Sequence, residues 1–448
     1  MKNCNGWRSG SPPRQSAEEA GMSTIDRRGF IRSAGGLALA LGAGVGVGAC
    51  ATPVGRAAPG RVVVIGGGFG GATAAKYLKK WEPRLEVTLV ERNQNFVSCP
   101  ISNLVLAGVK RIEDITLAYD GLARYGVRLV RDEAVAIDVD KREVRLAKGD
   151  PLPWDRLVVA PGIDFLYEQI PGLNNADARQ QVLHAWKAGA QTVALRKRLE
   201  ELPDGGVFAI SIPKAPYRCP PGPYERASVV AHYFKQHKPR SKVLILDGNP
   251  EITSKKALFL QAWEERYKGI IEYRPDSVLQ DFDVRANVGK FEFESVRAEL
   301  FNVIPPQRSG LIASPFANVG GRWAGVDFRS FESTAVPGVH LIGDAIATAP
   351  GMPKSGFMAN NHAKVAADAV IASLTGLEPN PTPIIANTCY SFVSDRDVVH
   401  VASIHKFDTQ ENTLLPVKGA GGLSAVANDL EGKYALAWAR NIWADALT

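Results

Sequence analysis

The chain of 448 residues contains no C-x-x-C-H stretch, so it has no attachment site for a c-type haem. Its seven histidines are scattered, with no close Cys or carboxylate group beside them, so no metal centre is expected. No Lys/Arg cluster is interleaved with aromatics, and nucleic acid is therefore not implied. The formal net charge of +7 owes more to the N-terminus than to the body, because residues 1–58 hold seven Lys/Arg and three acids. The small apolar run from Ala34 to Ala49 is too short to span a bilayer. What remains is a chain with 45% hydrophobic and 22% charged residues, the balance of a soluble globular protein. Its length exceeds what one core supports and predicts two or three domains.

The N-terminus reads as a targeting segment over residues 1–58. Asp26-Arg-Arg-Gly-Phe-Ile-Arg32 is a twin-arginine pattern, and the glycine-rich apolar run follows it. Ala49-Cys50-Ala51 and Arg56-Ala57-Ala58 are small-residue cleavage sites. The expectation is a periplasmic protein, exported already folded around a cofactor. Val47-Gly-Ala-Cys50 resembles a lipoprotein box, and a lipid anchor at Cys50 is the alternative. Cysteine is scarce: Cys4 and Cys50 fall in the leader, leaving Cys99, Cys219 and Cys389. An oxidising compartment allows one disulfide among three and leaves one thiol over.

The body opens with Arg61-Val-Val-Val-Ile-Gly-Gly-Gly-Phe-Gly-Gly71, a β-branched run entering a glycine loop. A helix is predicted from Ala72 to Lys80 and a second strand from Glu86 to Glu91. Gly66, Gly68 and Gly71 thus form G-x-G-x-x-G inside a complete βαβ unit, with Glu91 closing the second strand. The first glycine permits the tight turn. The second lets a pyrophosphate approach the backbone at the helix N-terminus. Glu91, with Arg92 beside it, is expected at the adenosine ribose. Leu157 to Gly162 reads as a strand and turn beside the dinucleotide, bringing Ala160 and Gly162 near it. Val339 to Ala345 is a strand ending in Gly343-Asp344, the aspartate being placed to bind the flavin ribityl chain or pyrophosphate. Lys354 and Gly356 open a helix predicted to run to Leu374, whose N-terminus faces the flavin. The cofactor expected is FAD.

Gly206–Ile212 and Ser241–Asp247 read as strands of a second sheet. The turn after the first is Pro213-Lys-Ala-Pro-Tyr-Arg-Cys219, with no glycine run to admit a second pyrophosphate, so no NAD site is expected. A stiff loop stands in its place. Ala215 to Arg226 holds Cys219 among four prolines, through which neither helix nor central strand is expected to run. Cys219 lies where NAD would otherwise meet the flavin, so a partner sulfur is expected, from Cys389 or Cys99. A bridge that merely staples the C-terminal region to the second domain is the other reading.

Taken together, Gly66 to Glu91, Phe96 to Asn103, Cys219-Pro-Pro-Gly-Pro-Tyr-Glu-Arg226, Gly343-Asp344 and Cys389 resemble the flavoprotein subunit of flavocytochrome c sulfide dehydrogenase. The likeness covers nearly the whole body of the chain. It implies an α/β fold with two Rossmann-like dinucleotide-binding domains, as in glutathione reductase, plus a C-terminal α+β domain at the cytochrome interface. The expected boundaries are 59–172 with 311–379, then 173–310, then 380–448. The resemblance implies that Cys219 and Cys389 form a redox-active disulfide and that Cys99 is joined to FAD by a thioether. It implies oxidation of sulfide to polysulfide or sulfur, with electrons leaving to a c-type cytochrome. Glu225, six residues after Cys219, is placed to handle protons; alternatively it is a helix-start acid paired with Arg226. Two rival readings are a sulfide:quinone oxidoreductase and a non-catalytic flavoprotein accessory of a sulfur-oxidising system. The first needs a membrane-entering surface. The apolar spacing of Tyr434, Trp438 and Ile442 instead predicts a helix packed on its own domain, so membrane contact is not expected.

Overall fold

Val62 to Ile65 are buried on both faces, as a central parallel strand requires. In the computed structural model, which describes residues 58–448, this strand (Arg61–Ile65) lies at the middle of a seven-stranded sheet. Glu86–Val90 and then Arg128–Val130 extend the sheet on one side, all parallel. Arg156–Val159 and Val339–Leu341 follow in parallel on the other side, and two short antiparallel strands complete the edge. The helix after the first strand runs Phe69–Trp81 and packs on the long helix Gly356–Thr375. The twin-arginine pattern, the apolar run and Cys50 lie outside the described residues.

A second sheet is wholly parallel, in the order Ile271–Arg274, Lys242–Asp247, Val207–Ile212, Leu300–Val303. A third is a three-stranded antiparallel sheet of Ile384–Phe392, Val398–Asp408 and Thr413–Leu423. The architecture is thus α/β, with parallel sheets in the nucleotide-type units and an antiparallel one near the C-terminus. The cysteine stretch is less irregular than its prolines suggest, because a helix starts inside it at Gly222 and continues to His237. Pro221 is the cap and Pro223 sits in the first turn, where a missing N–H leaves no helical bond unmade.

The last helix, Asp429–Leu447, departs from expectation in its packing. Besides touching its own sheet, it lies on the Phe69–Trp81 helix of the first unit. Lys76, 4% exposed, donates to the oxygens of Ala444 (3.1 Å), Asp445 (3.0 Å) and Thr448 (2.5 Å). It thereby satisfies carbonyls that a helix end leaves open. The Asp445 carboxylate accepts from Tyr77 (2.6 Å), Asn360 (2.8 Å) and Lys364 (2.8 Å). These partners hold it below the usual carboxylate range despite burial, which acts the other way. The sequence pattern showed the helix but not its partner, because the latch is made by lysines of remote elements. Replacing Lys76 by Met is expected to lower stability by about 2 kcal/mol, read by chemical denaturation, because it removes the charge-assisted hydrogen bonds to the helix end.

Candidate active site

The C-terminal ends of the first sheet's strands, the turn after Val207–Ile212 and the strand Ile384–Phe392 surround one cavity of about 1040 Å³. At one end stands the glycine turn. Gly66 has φ +94°, and a Cβ on it would lie 2.5 Å from the Ala160 oxygen. A Cβ on Gly71 would lie 1.8 Å from the Gly66 oxygen, so Gly71 serves the close packing of helix on strand and does not line the cavity. Gly68 differs: nothing lies within 4 Å of where its Cβ would be, and it faces the cavity. Glu91 accepts from the Gly67 N–H (2.6 Å) and from the Asn93 N–H and amide (both 2.6 Å), which fix its carboxylate at the rim. Arg92 lines the same rim and pairs with Glu133 at 2.7 Å.

Ala160, Gly162, Gly343, Asp344 and Gly356 also line the cavity, as does Cys99. Asp344 is partly buried, its Oδ1 shielded from solvent and unpartnered, and its Oδ2 is 4.0 Å from Arg218. Burial pushes its carboxyl up. Lys354 departs from expectation. Its ammonium does not line the cavity but turns to the carbonyls of Asp344 (3.1 Å) and Ile346 and sits 3.7 Å over the Trp323 ring. Burial lowers it to about 7. His362 packs rather than points inward: its Nδ1 accepts the Gly343 N–H (3.2 Å) and its ring stacks on Phe331.

The other end of the cavity holds sulfur. Cys219 and Cys389, remote in sequence, both line it, and both are free thiols in this structure. Cys219 has φ +57°, uncommon for a residue with a Cβ, and its N–H donates to the Lys354 oxygen at 2.8 Å. Burial raises its thiol; Cys389 and Glu225 add to the rise, while Arg218 and Lys255 oppose it. Burial also raises Cys389, against Lys255 and hydrogen bonds from Asn387 and Ser355. Gly222, Glu225 and Arg226 fall at helical spacing on the face that meets the cavity. Glu225 accepts from Asn103 (3.0 Å) and the Phe392 N–H (3.1 Å), and burial raises its carboxyl. It is not paired with Arg226. That guanidinium instead donates to Asn103 (3.1 Å), Asn302 (2.8 Å) and the carbonyls of His184 (2.9 Å) and Ala185 (2.7 Å).

Arg218, Lys255, Asn103 and Asn387 were not foreseen. Asn387 was within reach of strand logic: residues i and i+2 share a face, so it stands beside Cys389, and its amide is 3.3 Å from the sulfur. Lys255 gave no signal, since its segment reads as an ordinary charged loop.

The donor set fits FAD. The open cradle at Gly68, the first turns of two helices and the orphaned Asp344 oxygen are what a pyrophosphate and a hydroxylated chain need. Replacing Gly68 by Ala is expected to leave far-UV circular dichroism unchanged but to cut FAD content, because the methyl enters only the cradle. Gly71→Ala is expected to lower stability as well, because its methyl meets backbone.

Comparison with known proteins agrees with this geometry. Residues 192–305 match the family model of the sulfide dehydrogenase [flavocytochrome c] flavoprotein chain, central domain. Residues 381–447 match that of the flavocytochrome c sulphide dehydrogenase flavin-binding domain, and residues 60–200 that of pyridine nucleotide-disulphide oxidoreductases. The sulfide dehydrogenase [flavocytochrome c] flavoprotein chain of Chlorobaculum thiosulfatiphilum is 64% identical over 45 residues, covering 94% of that sequence and 10% of this chain. The mitochondrial sulfide:quinone oxidoreductase of Mus musculus is 27% identical over 298 residues, and the match spans 63% of this chain and only 65% of that protein. The solved structure of the sulfide:quinone oxidoreductase from Aquifex aeolicus shares the fold, with a TM-score of 0.71 at 19% identity over 86% of this chain and 91% of that one. The chain belongs to the family of flavocytochrome c sulfide dehydrogenase flavoprotein subunits.

Proposed function

We propose that this protein oxidises sulfide through a Cys219–Cys389 disulfide and passes the electrons to a c-type cytochrome. The observation that carries the reading is that two cysteines far apart in sequence line the one cavity that holds the FAD cradle. Arg218 and Lys187 on the cavity wall raise the local concentration of a small anion such as hydrosulfide. Hydrosulfide attacks one sulfur of the disulfide. A new S–S bond forms, the bond between residues 219 and 389 breaks, and the products are a persulfide and a thiolate. Glu225, beside the sulfurs and held by Asn103 and Phe392, takes the proton that the persulfide sheds. Attack by further sulfide on the persulfide releases polysulfide. FAD held at the Gly68 cradle would supply a two-electron acceptor for the pair freed when the two thiols re-form the disulfide, and one-electron transfer onward. The stiff loop holds Cys219 at attack distance, so little ordering is needed in each turnover.

The turn after Val207–Ile212 supports an electron donor other than NAD, because it carries no glycine run. We also propose the periplasm as the compartment, reached by the twin-arginine route. A quinone acceptor is the second reading. It is favoured by the exposed apolar residues Leu423, Val426, Leu430 and Tyr434 near the C-terminus, although no helix among the described residues is long and apolar enough to cross a membrane. Comparing cytochrome c with a soluble short-chain quinone as acceptor separates the two.

Cys219→Ser and Cys389→Ser are each expected to reduce sulfide-dependent cytochrome c reduction to background while retaining FAD. Normal turnover in both variants overturns the disulfide reading, and no sulfide-dependent turnover in the wild type favours the accessory role. Cys99, which lines the same cavity, is proposed as the thioether attachment point. The denatured protein is then expected to carry the mass of one FAD, and Cys99→Ala to release all its yellow colour on acid precipitation.

A further inference from the structure

Lys255 is 6% exposed and stands just before the helix Lys256–Arg266 at φ +56°. Its ammonium donates to the Cys389 carbonyl (2.9 Å), the Ser391 hydroxyl (2.8 Å) and the Val399 carbonyl (3.4 Å). Those three acceptors match its three protons, and all are neutral. An ammonium buried without a counter-ion is costly, so a negative charge elsewhere has to offset it. The groups that face it are the Cys389 sulfur, Glu225 from the Gly222–His237 helix, Cys219 from its loop and Glu431 from the last helix. A second positive end converges on the same sulfur. The Asn387 amide lies 3.3 Å from it, and the Asn387 oxygen is fixed by the Ser355 hydroxyl at 2.7 Å.

We propose that Lys255 is a positioning residue that holds the strand of Cys389 and offsets the negative charge left on the sulfur at 389 when the 219–389 bond opens. The proposal rests on the disulfide reading above. When hydrosulfide enters and the bond breaks, one negative charge moves from water into the cavity, and no electron is gained or lost overall. If Cys219 is attacked, residue 389 leaves as the thiolate. If Cys389 is attacked, it carries the persulfide, which is the more acidic group. Either way anionic sulfur stands beside the buried ammonium. Burial lowers Lys255 only to about 8, so it remains largely protonated at neutral pH.

The test uses the FAD-loaded protein reduced with dithiothreitol. Wild type, Lys255→Met, Lys255→Gln and Lys255→Arg are labelled with iodoacetamide at pH 7, below the value of about 8 at which Lys255 loses its proton, and the rate of modification at Cys389 is quantified by peptide mass. The two neutral variants are expected to be labelled at Cys389 about tenfold more slowly at that pH, the loss of thiolate expected when an opposite charge close by is removed. Lys255→Arg is expected to stay near wild type. Lys255→Gln keeps hydrogen-bonding capacity, so it reads the charge even where Lys255→Met loses its flavin spectrum. A Cys389 labelling rate that is the same in Lys255→Gln and wild type, with FAD bound in both, overturns the proposal. So does an Arg variant that behaves like Gln. Labelling needs no disulfide, so an oxidised protein without a 219–389 crosslink would sink the functional reading while leaving the effect of Lys255 on Cys389 measurable.

Discussion

One backbone hydrogen bond ties the two chemistries of this chain together. The Cys219 N–H donates to the Lys354 oxygen, joining the loop of the second sheet to the segment that leads into the flavin-facing helix. Lys354 in turn is anchored on the carbonyls of Asp344 and Ile346. The position of the sulfur is therefore referenced to the cofactor cradle rather than to its own domain. The backbone of Cys219 lies in the left-handed region, which costs a residue with a Cβ about 1–2 kcal/mol. A glycine would relieve that cost, but it has no sulfur. Strain kept at a residue with a reactive side chain fits a site in which placement matters more than local comfort.

The charges around the sulfurs follow a common plan. Arg226, Lys255 and Lys354 are buried cations satisfied mainly by carbonyls and amides, and Glu225 is a buried acid held by an amide and a backbone N–H. None is locked to an opposite charge at close range. An ion pair would neutralise each group locally and leave little field for the cavity. Saturation by neutral dipoles meets the hydrogen-bonding demand but leaves the charge to act on whatever ionises nearby. On the proposed function, where sulfur alternates between neutral and anionic forms, that arrangement lets the surroundings respond without any side chain having to move.

Much of this was legible in the chain because local rules carry it. The glycine turn, the Glu91 position and the Gly343-Asp344 turn each depend on neighbours in sequence, and the structure places them together at the cradle. The start of the helix at Gly222 was missed because prolines were read as breakers, although a first turn accepts them. The latch of Lys76 on the last helix and the placement of Lys255 behind Cys389 depend on elements more than a hundred residues apart. No periodicity or spacing encodes such meetings, since a lysine in a loop or on a helix has the same local preferences whether it is buried or solvated. Lys354 failed for a related reason. Its neighbours Ser355 and Gly356 line the cavity, but its own long side chain turns to the Trp323 ring.

The two parallel sheets present the same feature, a strand leading through a turn into a helix, and use it differently. After Arg61–Ile65 the turn is kept open: Gly68 meets nothing, and helix N–H groups face the space. After Val207–Ile212 the turn is filled. Tyr217 is 2% exposed and its hydroxyl bonds to Thr253, while Asn249 holds the Ala215 N–H. Ligands of such folds gather at the ends of parallel strands, where the topology leaves a crevice. That crevice is packed with protein at the second turn, and its residues still reach the cavity beside the first turn. On the proposed function, the cysteine placed there takes the position from which a nicotinamide would otherwise deliver electrons. On the proposed function, exchanging an open turn for a rigid sulfur-bearing one is what converts a fold built for a soluble hydride carrier into one that takes electrons from hydrosulfide.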